Sequence, residues 1–315
     1  MTTSIVTGAA GFIGSHLVDA LLARGDRVIG IDQFNDYYDP TQKRRNIAHL
    51  ATNDKFELIE GTIQDLDWVS LLKDVDYVYH QAAQAGVRAS WGEGFKDYTA
   101  RNITATQLIL EAAKVTPTLK RLVYASTSSV YGEAETIPTS EKLCQKPVSP
   151  YGITKLAAEQ MCWLYHRNFD VPVTALRYFT VYGPRQRPDM AFHKFFKAAL
   201  EDGSIPIYGD GLQTRDFTFV SDAIAANLQA AEAGAIGEMF NIGGGSRVVL
   251  NEVLDTIDAI VDKPIKRDYQ GRAMGDARHT AADVSKAKEI LGYQPKVSLK
   301  EGLTKEWNWI QQFYS

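Results

Sequence analysis

Ser4-Ile5-Val6-Thr7-Gly8-Ala9-Ala10-Gly11-Phe12-Ile13-Gly14 is the stretch whose reading decides the fold. Ser4–Thr7 has the short, largely apolar pattern of a strand buried on both faces. Phe12–Ala23 carries Leu17, Leu21 and Leu22 at helical spacing. Between them Gly8, Gly11 and Gly14 make a turn. Glycines suit a backbone that reverses sharply and comes close to a pyrophosphate, and the last of them lets helix pack on strand. The helix start adds unpaired amides and partial positive charge, which attract phosphate. The spacing is G-x-x-G-x-x-G, not G-x-G-x-x-G, so the turn alone is a weak signal. Its context strengthens it: the next strand, Arg27–Asp32, ends in an acid about 20 residues further on. A carboxylate there accepts hydrogen bonds from the ribose hydroxyls of an adenosine and repels a 2′-phosphate, so NAD is expected over NADP. The alternative for Asp32 is a surface acid at a strand end.

Outward from this turn, Phe56–Glu60, Asp76–His80, Arg121–Ser126 and Val173–Arg177 read as further strands. Asn102–Lys114 and Pro150–Asn168 read as helices between them. Alternating strands and helices predict an α/β fold with a doubly wound parallel sheet, a Rossmann domain. After Gly183 the rhythm breaks into Gly- and Pro-rich loops. Helical patterns return at Phe192–Glu201, Ser221–Glu232, Leu250–Val261, Val284–Leu291 and Leu299–Phe313. The expected division is an NAD-binding unit over 1–180 and a smaller mixed α/β substrate lobe over 181–315. The chain is expected to rejoin the first unit within about 215–245, with Glu238–Ile242 as the returning strand.

Composition sets outer bounds. The chain has 315 residues, 45% hydrophobic and 23% charged, enough for a sizeable core. A net charge of -4 argues against a nucleic-acid or anionic-membrane partner. Cys144 and Cys162 are too few for a disulfide framework and lack zinc-ligand spacing, so no metal site is expected. No leader pattern and no membrane-length apolar run is visible, and the expected compartment is the cytoplasm.

Ser149-Pro150-Tyr151-Gly152-Ile153-Thr154-Lys155 is the second constellation. Ser149 is a good N-cap and Pro150 a good first helical residue. Tyr151 then falls in the first turn, with Lys155 one turn on along the same face. An ammonium and a helix N-terminus both favour a phenolate, which suits a tyrosine that removes a hydroxyl proton. A Tyr-x-x-x-Lys pair arises by chance about once in a chain of this composition, so its position carries the weight. It follows the strand ending in Thr127-Ser128-Ser129, hydroxyls placed where a substrate sits; their alternative role is to cap a helix.

With both constellations in order, the chain resembles the extended short-chain dehydrogenases, in their sugar-nucleotide epimerase and dehydratase branch, and most closely UDP-glucuronate 4-epimerases. That resemblance implies roles. Gly8, Gly11, Phe12, Ile13 and Gly14 hold the pyrophosphate and Asp32 the ribose. Asn35, Lys43, Ile63, Ala82, Ala83 and Asn102 belong to the cofactor site, and Tyr178 lines the nicotinamide. Tyr151 and Lys155 are the catalytic pair, with Thr127, Ser128 and Ser129 as hydroxyl partners. Gly86, Val87, Arg88 and Thr180 line the substrate, and Arg185 meets the sugar carboxylate. Arg215, Arg272 and Asp276 hold the diphosphate and ribose of a UDP-sugar. A homodimer through the two long helices is also implied. One departure is Gly61-Thr62-Ile63, where many relatives carry Gly-Asp-Ile, which weakens the implied adenine contact.

The implied reaction is C4 epimerisation of UDP-glucuronate to UDP-galacturonate through a transient 4-keto sugar. Rivals stay open. A UDP-glucose/UDP-galactose epimerase needs no arginine at the sugar. A UDP-glucuronate decarboxylase usually carries Glu where Ser129 stands, and a 4,6-dehydratase needs an Asp–Glu pair in place of Ser128 and Ser129. A catalytically silent NAD-binding sensor would be free to lose Tyr151 or Lys155. Trp307, Trp309 and His80 are expected to be packing residues, and Arg44 and Arg45 to be solvated.

Overall fold

In the computed structural model, which describes residues 1–245, 247–271 and 274–315, seven parallel strands form one sheet. Six are β1 (Thr3–Thr7), β2 (Arg27–Asp32), β3 (Phe56–Glu60), β4 (Tyr77–His80), β5 (Arg121–Thr127) and β6 (Val173–Tyr178). The seventh arrives late in the chain and is β11, Met239–Ile242. The order is β11-β6-β5-β4-β1-β2-β3. Chain order reverses at β1, between its neighbours β2 and β4, so the loops there part and leave a crevice at the strand ends. β5 is buried at all seven positions, whereas β3 on the edge is largely open, which is why its polar Glu57 and Glu60 are tolerated.

Helices cover both faces. α1 (Phe12–Arg24) ends at Gly25 in a left-handed C-cap, and α2 (Pro40–Ile47) is capped by Asp39. α3 (Trp68–Leu72) is short. α4 (Phe95–Tyr98) and α5 (Ala105–Lys114) are joined by a turn of wider π-helix, Thr99–Thr104. The helix expected from Asn102 therefore starts earlier, and Asn102 itself lies in the widened turn. α6 (Pro150–Phe169) starts as its sequence predicts, with the Ser149 hydroxyl accepting the Gly152 N–H at 3.1 Å.

The remaining elements roof the C-terminal edge, except α8 (Val220–Glu232), which lies on a sheet face beside α1. They are β7 (Val181–Tyr182), α7 (Ala191–Leu200), β8 (Ser204–Tyr208), β9 (Thr214–Asp216), β10 (Thr218–Phe219), α8, β12 (Arg247–Val249), α9 (Leu250–Val261), β13 (Lys266–Gln270), α10 (Ser285–Leu291) and α11 (Leu299–Tyr314). Their strands pair as β7 with β10, β9 with β12 and β8 with β13. α8 packs on α1 and against the main sheet. Trp307 stacks on Phe196, and Trp309 on Phe313. His80 is fully buried between the hydroxyls of Thr7 and Thr106. Arg44 is exposed but stacks on Phe34, and Arg45 on Phe313. Among the described residues no helix is long and apolar enough to cross a membrane.

Candidate active site

Two cavities meet at the crevice. One, of about 220 Å³, is lined by Gly8, Gly11, Phe12, Ile13 and Gly14 of the first turn. Asp32, Asn35, Lys43, Ile63, Ala82, Ala83, Lys155 and Tyr178 line it too. The second, of about 780 Å³, extends under the roof and is lined by Gly86, Val87, Arg88, Thr127, Ser128, Ser129, Thr180, Arg215 and Asp276. Tyr151, Tyr37, Ser126, Tyr178 and Arg187 border both.

The glycine turn is as tight as its composition requires. A Cβ on Gly14 would stand 2.0 Å from the Gly8 carbonyl oxygen. Gly11 caps α1 without a side chain, and no acid stands in the first helical turn, which leaves the helix start to an anion. Asp32 is buried, and its carboxylate accepts from the amides of Ala10 and Phe34 and from Lys43 Nζ at 2.9 Å. Lys43 thus holds the buried acid at the end of β2. Thr62, at the departure noted above, lines the same cavity and donates its hydroxyl to Asp65 at 2.7 Å.

Tyr151 stands between the cavities with its ring edge-on to Tyr98 at 6.2 Å. Burial raises its pKa, offset in part by the Thr127 hydroxyl and by Arg187. This corrects the expected direction. Lys155 Nζ lies 4.3 Å from the centre of the Tyr124 ring, deep in the helix-sheet contact, and is not among the groups that shift the Tyr151 phenol. Burial pushes Lys155 itself down to about 7. Thr127 Oγ1 accepts the Ser129 N–H and lies 3.3 Å from the Ser129 hydroxyl, so the loop is folded on itself, and Thr127, Ser128 and Ser129 all line the larger cavity.

Two expectations do not fit this geometry. Arg185 does not line either cavity. Its backbone is left-handed, φ 65°, which turns the side chain to Asp19 on α1 at 2.7 Å. The cation of this loop that borders both cavities is Arg187, two residues on, held by Asp189 through bonds of 2.9 and 2.8 Å. Asn102 lies outside the cofactor cavity as well. Its side chain is buried and ties the Gln84 backbone to Thr154 on α6, bracing the cavity wall. Arg272 lies outside the described residues. Sequence reading also passed over Tyr37. It covers Gly86 so closely that a Cβ there would stand 2.3 Å from its hydroxyl, and Gly86 has φ 104°. A tyrosine in a polar loop gives no periodic signal; the glycine opposite it is the only trace.

Residues 4–243 match the model of a family described as NAD dependent epimerase/dehydratase. The chain belongs to that family. A crystal structure of UDP-glucuronic acid 4-epimerase from Bacillus cereus, in complex with UDP-glucuronic acid and NAD, superposes on this epimerase/dehydratase with a TM-score of 0.96. It is 46% identical and covers 99% of this chain and 100% of that one. A UDP-glucuronate 4-epimerase of Thermodesulfobacterium geofontis is 39% identical over 98% of this chain and 96% of its own. A Bacillus subtilis protein named as an uncharacterized UDP-glucose epimerase is 43% identical over 98% of each chain. As a member, the protein is an enzyme and NAD is its cofactor.

The residues fit that cofactor: a turn any side chain at Gly14 would fill, an open helix start, and a buried acid at the end of β2. Gly14→Ala is expected to destabilise the epimerase/dehydratase by roughly 1–3 kcal/mol and to abolish NAD binding, read by thermal melting and by titration with NAD. Lys155 yields a pH dependence. Its folded pKa, about 7, is below its ordinary value of 10.5. Between the two, the unfolded chain binds a proton the folded one does not, so stability rises with pH across that window. The cofactor-free protein should melt higher at pH 9 than at pH 7, and Lys155→Met should remove Lys155's share of the rise.

Proposed function

We propose that the enzyme is a UDP-glucuronate 4-epimerase that interconverts UDP-glucuronate and UDP-galacturonate through a 4-keto sugar. The observation that carries this reading is the sugar end of the larger cavity. There Thr127, Ser128, Ser129 and Thr180 supply hydroxyls and Arg187 a guanidinium, with no Glu or Asp in the Thr127–Ser129 loop. The named relatives bound to or acting on UDP-glucuronate support it.

NAD, when bound, would supply the hydride acceptor and donor for C4. Tyr151 removes the O4 proton during oxidation and gives it back on reduction, with the Thr127 hydroxyl beside it to share the charge. Lys155, which lines the cofactor cavity, is read as the partner of the nicotinamide ribose. The larger cavity has room for the keto sugar to turn its other face towards C4 reduction. Arg88, Arg215 and Asp276 hold the UDP end. Arg88 is already ordered by Asp276 at 2.9 Å and by the Tyr208 ring at 3.9 Å.

The 4-keto sugar is a β-keto acid. It loses CO₂ when the bond to the carboxyl carbon lines up with the carbonyl π system. Hydroxyls and a guanidinium that fix the carboxylate away from that alignment keep the carbon. A planar guanidinium binds a carboxylate in two places and so sets its rotation. Ser129 offers no acid to assist decarboxylation. A homodimer is part of the reading, supported by the exposed Ile153, Trp163, Leu164 and Phe169 along α6.

One observation favours a second reading. Arg187 is matched by Asp189, and a neutral UDP-hexose would leave that pair intact. Incubation with UDP-glucuronate or UDP-galactose, followed by proton NMR, separates the two. Growth of UDP-galacturonate without pentose supports the uronate epimerase. Turnover of UDP-galactose alone moves the activity to neutral sugars, and a UDP-pentose product makes it a decarboxylase.

A further inference from the structure

The five residues Gly183–Arg187 make a loop in which each residue is tied to another part of the molecule. The Gly183 N–H donates to Glu306, a fully buried carboxyl on α11, at 2.8 Å. The Pro184 carbonyl lies 2.9 Å from His16 Nε2 on α1. Burial, with Arg185 next, pushes His16 down to about 4, so it is neutral and carries its hydrogen on Nε2. The Gln186 carbonyl receives Gln42 Nε2 from α2 and His193 Nδ1 from α7. His193 Nε2 in turn meets the Tyr314 hydroxyl at 2.9 Å. Arg187 follows, held by Asp189 and facing both cavities.

The member that stands out is Arg185. A left-handed backbone at φ 65° suits Gly, Asn or Asp, and an arginine there is strained. Such strain persists where the side chain is needed. Here the side chain reaches Asp19 at 2.7 Å, and the second oxygen of Asp19 meets His49 at 2.7 Å. The same left-handed residue swings the chain so that Arg185 points back to α1 while Arg187 points into the site. In a plain extended segment the two arginines would lie on one face.

We propose that Asp19 and Arg185 are a positioning pair that sets substrate specificity by fixing the direction of Arg187. The pair touches neither cavity and acts only through the loop. This rests on the reading of Arg187 as the carboxylate partner. If a remote group aims a charged one, its loss penalises the ligand that needs the charge and spares the ligand that does not.

The test is titration of the NAD-loaded protein, in a Tyr151→Phe background that prevents turnover, with UDP-glucuronate and with UDP-glucose. Asp19→Asn breaks the pair with little change in shape. Arg185→Gly breaks it and relieves the backbone, so its melting temperature should hold or rise. Both variants should lose preference for UDP-glucuronate by about tenfold, with UDP-glucose affinity unchanged. A parent protein that prefers UDP-glucuronate and an Arg185→Gly variant that keeps this preference would overturn the positioning role alone. Equal losses for both ligands would overturn it too, because they indicate general loosening. A parent without preference would overturn the Arg187 reading and this one with it.

Discussion

Tyr151→Phe is expected to lower turnover of UDP-glucuronate by about 10²- to 10⁴-fold, with NAD and nucleotide-sugar affinity little changed. The phenol borders both cavities and lies next to the Thr127 hydroxyl, while the ring keeps its edge-on contact with Tyr98 in the variant. Burial raises the phenol pKa, and the Thr127 hydroxyl and Arg187 pull against that rise. Steady-state kinetics beside a binding titration check this. A variant within about tenfold of the parent rate would remove Tyr151 from the chemistry, since that is less than general acid–base catalysis ordinarily supplies.

Arg187→Gln should raise the KM for UDP-glucuronate by roughly tenfold to a hundredfold, the loss of hydrogen bonds to a charged group worth about 1.5–3 kcal/mol. It should also divert part of the product to a UDP-pentose and CO₂, because the carboxylate is no longer held away from the carbonyl π system. The single variant takes the guanidinium from Asp189, whose carboxylate lines the cavity and keeps the Tyr37 hydroxyl, and the uncompensated charge repels the substrate. Arg187→Gln/Asp189→Asn removes that repulsion. If the KM effect survives in the double variant, it belongs to lost attraction. Unchanged KM in both, with no pentose by NMR, would mean that Arg187 does not hold the carboxylate.

Much of the nucleotide end was legible because its chemistry leaves local marks. Gly8, Gly11 and Gly14 in a strand–turn–helix context and an acid ending β2 are short-range features, and each lines the expected cavity. The Ser149-Pro150 start of α6 was equally local. The return of the chain to the main sheet was anticipated at Glu238–Ile242 and is β11, though its pairing with β6 was not foreseen. What escaped the sequence was long-range. Arg185 and Arg187 sit two residues apart in Pro184-Arg185-Gln186-Arg187-Pro188, and only a left-handed φ separates a residue that braces α1 from one that lines the larger cavity. Asn102 matched a family position, yet its bonds run to Gln84 and Thr154, partners 18 and 52 residues away. The Lys155 effect on Tyr151 was argued from helix spacing. The structure instead sends the ammonium over Tyr124, because β5 lies directly beneath that face of α6.

The most direct test of the account is to give the enzyme UDP-glucuronate carrying deuterium at C4, in ordinary water, and to follow the sugar by NMR. Hydride that leaves and returns through bound NAD, with the carboxylate held, predicts UDP-galacturonate that keeps its deuterium at C4 and forms no pentose. Loss of deuterium to solvent, or a UDP-pentose with release of CO₂, would contradict it.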